Sequence, residues 1–158
     1  MILLLLLACG GQGEVPDAGM SSRDFVPQPG WLAEFVPPEA PDTEPLLLKI
    51  AEDGGWELRR GERWADATPQ GTWEAWEEGG YWVNGDLLLP ERLVVGQTTD
   101  DVTVVEVGQA TAWYGTFDVA VTVLRDSGRL GNEQVIAQDL GPVILTLDGF
   151  RWELAWYE

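Results

Sequence analysis

Val143-Ile144-Leu145-Thr146-Leu147-Asp148-Gly149-Phe150-Arg151-Trp152-Glu153-Leu154-Ala155-Trp156 is the stretch that decides the fold class. Two apolar-rich runs flank Asp148-Gly149, a dipeptide suited to a type I′ turn, in which both central residues take positive φ. A two-residue hairpin in this register sets Leu147 opposite Phe150, Leu145 opposite Trp152 and Val143 opposite Leu154. All six then share one face, and Thr146 meets Arg151 on the other. A slip of one residue would turn the apolar set to water, so the register is strongly specified.

The same grammar extends back along the chain. Residues 116–125 alternate Phe117, Val119, Val121 and Val123 on one face, before an Asp126-Ser127-Gly128 turn and a strand over 133–138. Two further strands are expected at 102–107 and 111–114. The aromatic phrase Trp113-Tyr114-Gly115-Thr116-Phe117 reads as core packed around a glycine. Residues 46–51 and 56–60 flank Glu52-Asp53-Gly54-Gly55 as another hairpin. Asn84-Gly85 makes a third, between Tyr81-Trp82-Val83 and Leu87-Leu88-Leu89, with Pro90 ending that strand or marking an edge. Roughly eight to ten short strands joined by tight turns predict an all-β antiparallel meander over 46–158, closed as a barrel or folded as a sandwich. No segment resembles the long crossover that parallel strands require.

Composition narrows the function classes. At 158 residues there is room for one ordinary domain. The formal net charge is −18, spread along the chain: −6 between Cys9 and Pro45 and −12 over 46–158. Such a surface repels phosphate backbones and anionic headgroups, so no nucleic acid partner is expected. Histidine is absent, which removes Ser-His-Asp and Cys-His nucleophile pairs and every histidine-ligated metal site. A single cysteine cannot form an internal disulfide or a thiolate cluster. Nine tryptophans, against three tyrosines and four phenylalanines, are unusual for a small domain. Such large amphipathic rings must mostly pack, and some are expected to show.

The front of the chain is organised differently. Residues 2–8 are Ile-Leu-Leu-Leu-Leu-Leu-Ala, too short an apolar run for a bilayer span, which needs about 20 residues. The length is that of a minimal signal-peptide core. A secretory leader, or a buried strand with an incidental cysteine, would read the same way. Leu6-Leu7-Ala8-Cys9 resembles the bacterial lipobox. That resemblance implies a signal peptide over 1–8, cleavage after Ala8, a diacylglyceryl group on the Cys9 sulfur and a lipid anchor in the cell envelope. Glycine after the cysteine resembles lipoproteins forwarded to an outer membrane, where the organism has one. Two or three acyl chains give stable attachment where one is marginal. Seven of the ten prolines lie between Gly10 and Pro45, so 9–45 is expected to be a disordered, solvated acidic tether. Within it Trp31-Leu32-Ala33-Glu34-Phe35-Val36 is apolar enough to dock on the domain as an extra strand or turn, or else to serve as a partner-binding peptide.

The most site-like stretch is Trp73-Glu74-Ala75-Trp76-Glu77-Glu78-Gly79-Gly80-Tyr81-Trp82. On a strand Trp73 and Trp76 point to opposite faces, so both are core only if the strand is covered on each side. Indole rings beside carboxylates suit sugar stacking, which makes Trp73, Trp76, Tyr81 and Trp82 the candidate ligand-binding residues. The plainer alternative has one ring in the core and the other under a loop. Asp100-Asp101 and Asp126 lack the alternating ligands of a calcium loop and read as solvated turns. Neither a metal nor a cofactor is expected. The functional expectation is a non-catalytic envelope lipoprotein displaying a β domain for protein interaction. The alternatives are a small-ligand or carbohydrate binding module and, more remotely, a carboxylate-dependent hydrolase.

Overall fold

The computed structural model describes residues 19–52, 56–60, 79–83, 86–126, 132–147 and 149–158. Their regular structure is almost entirely extended, and the fold is all-β and antiparallel. In chain order β1 (Met20–Ser21) precedes a short 3-10 turn, Ser22–Phe25, followed by β2 (Leu32–Val36), β3 (Leu46–Ile50) and β4 (Trp56–Arg60). Next come β5 (Gly80–Val83), β6 (Asp86–Pro90), β7 (Arg92–Leu93) and β8 (Thr98–Thr99). The long strands β9 (Val102–Ala112) and β10 (Gly115–Arg125) lead into β11 (Glu133–Ala137), β12 (Gly141–Leu147) and β13 (Phe150–Tyr157).

One nine-stranded sheet runs β4-β3-β2-β13-β12-β11-β10-β9-β8. Each neighbour is also a neighbour in the chain, except where β2 meets β13 and joins the two ends of the meander. The sheet is not closed into a barrel; of the two architectures expected, it takes the sandwich-like one. Its two edge strands are β4 and β8, and β5-β6 forms a separate hairpin. That hairpin is tied to both flanks. Trp56 Nε1 on β4 donates to the Tyr81 hydroxyl on β5 at 3.0 Å, and Arg125 Nη2 on β10 donates to the Leu88 carbonyl on β6 at 3.2 Å. Leu87, Leu88 and Leu89 close the core from this side, each essentially inaccessible to water.

Local sequence explains the elements. On β3 Leu46, Leu48 and Ile50 turn inward while Leu47 and Lys49 stay half-buried, the period of a sheet with one covered face. β11 and β12 lack this alternation: Gln134 to Ala137 and Gly141 to Leu145 are buried at every position, so these central strands are covered on both faces. Continuous apolar runs belong to such strands. The last hairpin has the expected register, with Leu145 opposite Trp152, Thr146 opposite Arg151 and Leu147 opposite Phe150. Its tip outruns the core, leaving Phe150 64 % exposed. Val83 pairs with Asp86 as a two-residue turn requires, and Pro90 is the final residue of β6.

Three expectations are corrected. The strands expected at 102–107 and 111–114 are one strand, β9, which absorbs register shifts against β10 without breaking. One shift lies between Phe117 and Ala120, where an additional β10 residue is accommodated. Strict alternation is lost at such a bulge, so Ala120 and Val121 are both buried while Phe117 and Val119 are only half-buried. The reading of Trp113-Tyr114 as core also fails, because the β9–β10 turn projects beyond it.

The third correction concerns the tether over 9–45. The described part, from Gly19 on, belongs to the folded body, and Leu32–Val36 is an interior strand between β3 and β13. Prolines here punctuate structure at strand ends, and Ala33 and Phe35 alternate inward with no accessible surface. Upstream, Ser22 N–H donates to the Glu91 carbonyl at 3.1 Å, Phe25 is fully buried, and the Asp24 carbonyl accepts from Asp139 N–H at 2.7 Å. Gly141, at φ 121°, leaves the space that the Pro27 ring fills.

Candidate functional site

The expected aromatic face is only partly within view. Trp73, Trp76 and the lipidation residue Cys9 lie outside the described residues. Tyr81 is 3 % exposed, its hydroxyl accepts the Trp56 indole N–H, and the two rings sit 6.3 Å apart at 41°. Burial raises the Tyr81 pKa above the usual phenol value, and the Trp56 hydrogen bond partly opposes the rise. Tyr81 is therefore a packing residue that holds the β5-β6 hairpin against β4, and its ring offers no platform to a ligand. Trp82 is half-buried against the core.

Aromatic surface appears elsewhere, where the β9-β10 turn meets the end of β13. Trp113 is 53 % exposed, Tyr114 52 % and Trp156 44 %. The turn is not a loose tip: Tyr114 N–H donates to the Leu154 carbonyl on β13 at 2.7 Å. The Tyr114 ring lies 5.0 Å from Tyr157 at 58° and 6.5 Å from Phe117 at 22°, both within the range of favourable aromatic pairs. A hydrogen bond between the Tyr157 and Tyr114 side chains raises the Tyr157 pKa first, burial second.

A bulge on β13 decides which ring faces out. Leu154 pairs with Phe35 but Trp156 pairs with Glu34, so Ala155 is additional to the ladder. Strict alternation would carry Trp156 inward with Leu154. The additional residue shifts it onto the Glu34 side and sets Tyr157 opposite the buried Ala33. The result is two exposures: Tyr114 is held by backbone and ring contacts on the Tyr157 side of β13 with Trp113 exposed beside it in the turn, while Trp156 is exposed on the opposite side of β13.

Exposed rings of this kind can bind a partner through their faces. These residues offer indole and phenol faces with N–H and O–H handles, and the Glu34 carboxylate lies opposite Trp156 in the ladder. Among the described residues no group of three or more Cys, Asp or Glu side chains is gathered as a metal site would need. Sequence reasoning missed this surface because Trp113 and Trp156 look like core residues by hydropathy and alternation. The available signal was Trp113-Tyr114-Gly115, a glycine-terminated aromatic pair between two long alternating runs, which is a turn as readily as a core segment. Comparison with protein-family models, with curated proteins and with solved structures finds no match to this chain.

Proposed function

We propose that the protein is a non-catalytic envelope lipoprotein, anchored by lipid on Cys9, whose β domain binds a protein partner through Trp113 and Tyr114. The observation that carries the reading is the exposure of two large aromatic side chains, Trp113 and Tyr114, on a turn tied to β13. Tryptophan and tyrosine dominate the energetic centres of protein interfaces because they present large areas at low conformational cost. Holding Tyr114 in place before contact reduces the ordering cost of binding. The lipobox resemblance of Leu6 to Cys9 supports the anchor. The destination is an outer membrane where the organism has one. Sugar stacking is less well supported, since the 58° tilt between Tyr114 and Tyr157 breaks the flat platform a pyranose ring prefers.

Site-specific photo-crosslinking from position 113 in intact cells tests the surface, with the equally exposed Val95 as control position (58 %). The expected result is a discrete protein adduct from 113 and none from 95. Adducts from both positions, or from neither, would remove the protein-partner reading. Retention on immobilised glycans that is lost in Trp113→Ala would replace it with the sugar reading. Cys9→Ser should move the protein from the membrane fraction to the soluble fraction; persistence in membranes would defeat the anchor.

A further inference from the structure

A second concavity lies away from the aromatic turn, between the loop that joins β2 to β3 and the tip of the β12-β13 hairpin. Its volume is about 350 Å³, at the small end of the range for ligand sites. Pro37, Pro38, Phe150 and Trp152 give it an apolar lining, and Arg60 and Glu39 supply its charge. Arg151 also borders it, but the Arg151 guanidinium is engaged by Glu153 at 2.7 Å and Glu133 at 3.8 Å.

Arg60 is placed differently. Its guanidinium carbon stands 5.3 Å from the centre of the Trp152 ring, and no carboxylate pairs with it among the described residues. A guanidinium stacked on an indole keeps its planar edge of N–H donors free, in the geometry that receives a carboxylate through two parallel bonds. The chain has only nine cations against 27 acidic residues, so an Arg without an acidic partner is notable. Glu39 at the rim and the overall negative field select against ligands with more than one charge.

We propose that this groove binds a small apolar monocarboxylic acid, its carboxylate on Arg60 and its hydrocarbon or aryl body against Pro37, Pro38 and Phe150. The site is separate from the aromatic turn, and the inference does not depend on the protein-partner reading.

Isothermal titration of the whole protein with 3-phenylpropionate, and with its neutral isostere 3-phenylpropionamide, tests the assignment. The acid is expected to bind at least about tenfold more tightly than the amide. Arg60→Gln should abolish that preference while leaving the thermal midpoint of unfolding in place. Arg60→Lys should retain part of it, and Arg151→Gln should leave it intact. Equal affinity for acid and amide would overturn the proposal, as would undiminished acid binding to Arg60→Gln. Binding of a peptide ending in phenylalanine, with none of the free acid, would overturn it in favour of a chain-end receptor.

Discussion

The two hairpins β12-β13 and β9-β10 are built from the same kinds of residue and do opposite work. The first runs through the middle of the sheet, pairs in one unbroken register, and buries Val143, Ile144, Leu145, Trp152 and Leu154. The second is longer, shifts register twice, and divides in character along its length. Its base, with Val102, Val104, Val121 and Val123, is core; its turn, with Trp113 and Tyr114, faces water. Hydrophobicity alone does not separate these fates. Position relative to the sheet's middle does, together with bulges that spoil the alternation by which a strand keeps one face covered.

Substitutions ranked along this contrast can break it. The largest effect is expected where the sheet's two runs join: Phe35→Ala, at a fully buried ring opposite Leu154, should cost about 3–5 kcal/mol in urea denaturation. A loss below about 1 kcal/mol would mean that β2 is not an interior strand.

Arg125 comes next, at the buried base of β10. It is 4 % exposed, with its Nε and Nη1 lacking hydrogen-bond partners, and burial lowers its pKa against the opposing pull of Asp101 and Asp86. Arg125→Ala should cost about 2–3 kcal/mol by stripping the Leu88 carbonyl of its donor and opening space. Arg125→Met, which fills the same volume without charge, should cost much less or stabilise.

Tyr81→Phe removes the acceptor of the Trp56 indole and should cost about 1 kcal/mol at neutral pH. It should also flatten the alkaline limb of the stability profile. Because the folded Tyr81 pKa is raised, its contribution is full below about pH 10, the unfolded value, and is lost as pH rises through the folded one. Wild-type stability should thus fall from about pH 10 upward more steeply than that of the variant. The smallest effect belongs to the exposed turn: Trp113→Ala should stay within about 0.5 kcal/mol of wild type, so that any binding defect it shows is not a folding defect.

What could be read from residues alone follows the same division. The β12-β13 register was legible because Asp148-Gly149 and the flanking alternation both point to it, and neither bulge nor edge intervenes. The β3-β4 and β5-β6 pairings were legible from their Gly-containing turn sequences between apolar runs, although β4 is an edge strand and β5-β6 carries a register shift at Tyr81–Trp82. The docking of 32–36 as an added strand was legible from its apolar residues, but proline content, which describes the average of a segment, hid that the residues around it from Gly19 on are folded as well. The exposed surface was hidden by the added residue at Ala155, which carries no compositional mark and reverses the faces of Trp156 and Tyr157. Tyr81 misled in the other direction: a phenol beside a tryptophan reads as a surface handle, but its hydroxyl is satisfied internally by Trp56.

The pairing of β2 with β13 also sets an order of events in time. Strand 32–36 finds one neighbour in β3 soon after synthesis, but its other neighbour lies most of the chain's length away. Closing that distance costs chain entropy before any contact rewards it, so this one pairing is expected to form later than the pairings between chain neighbours. In a growing chain β2 therefore lacks its second neighbour, and the nine-stranded sheet stays incomplete, until residues 150–157 emerge.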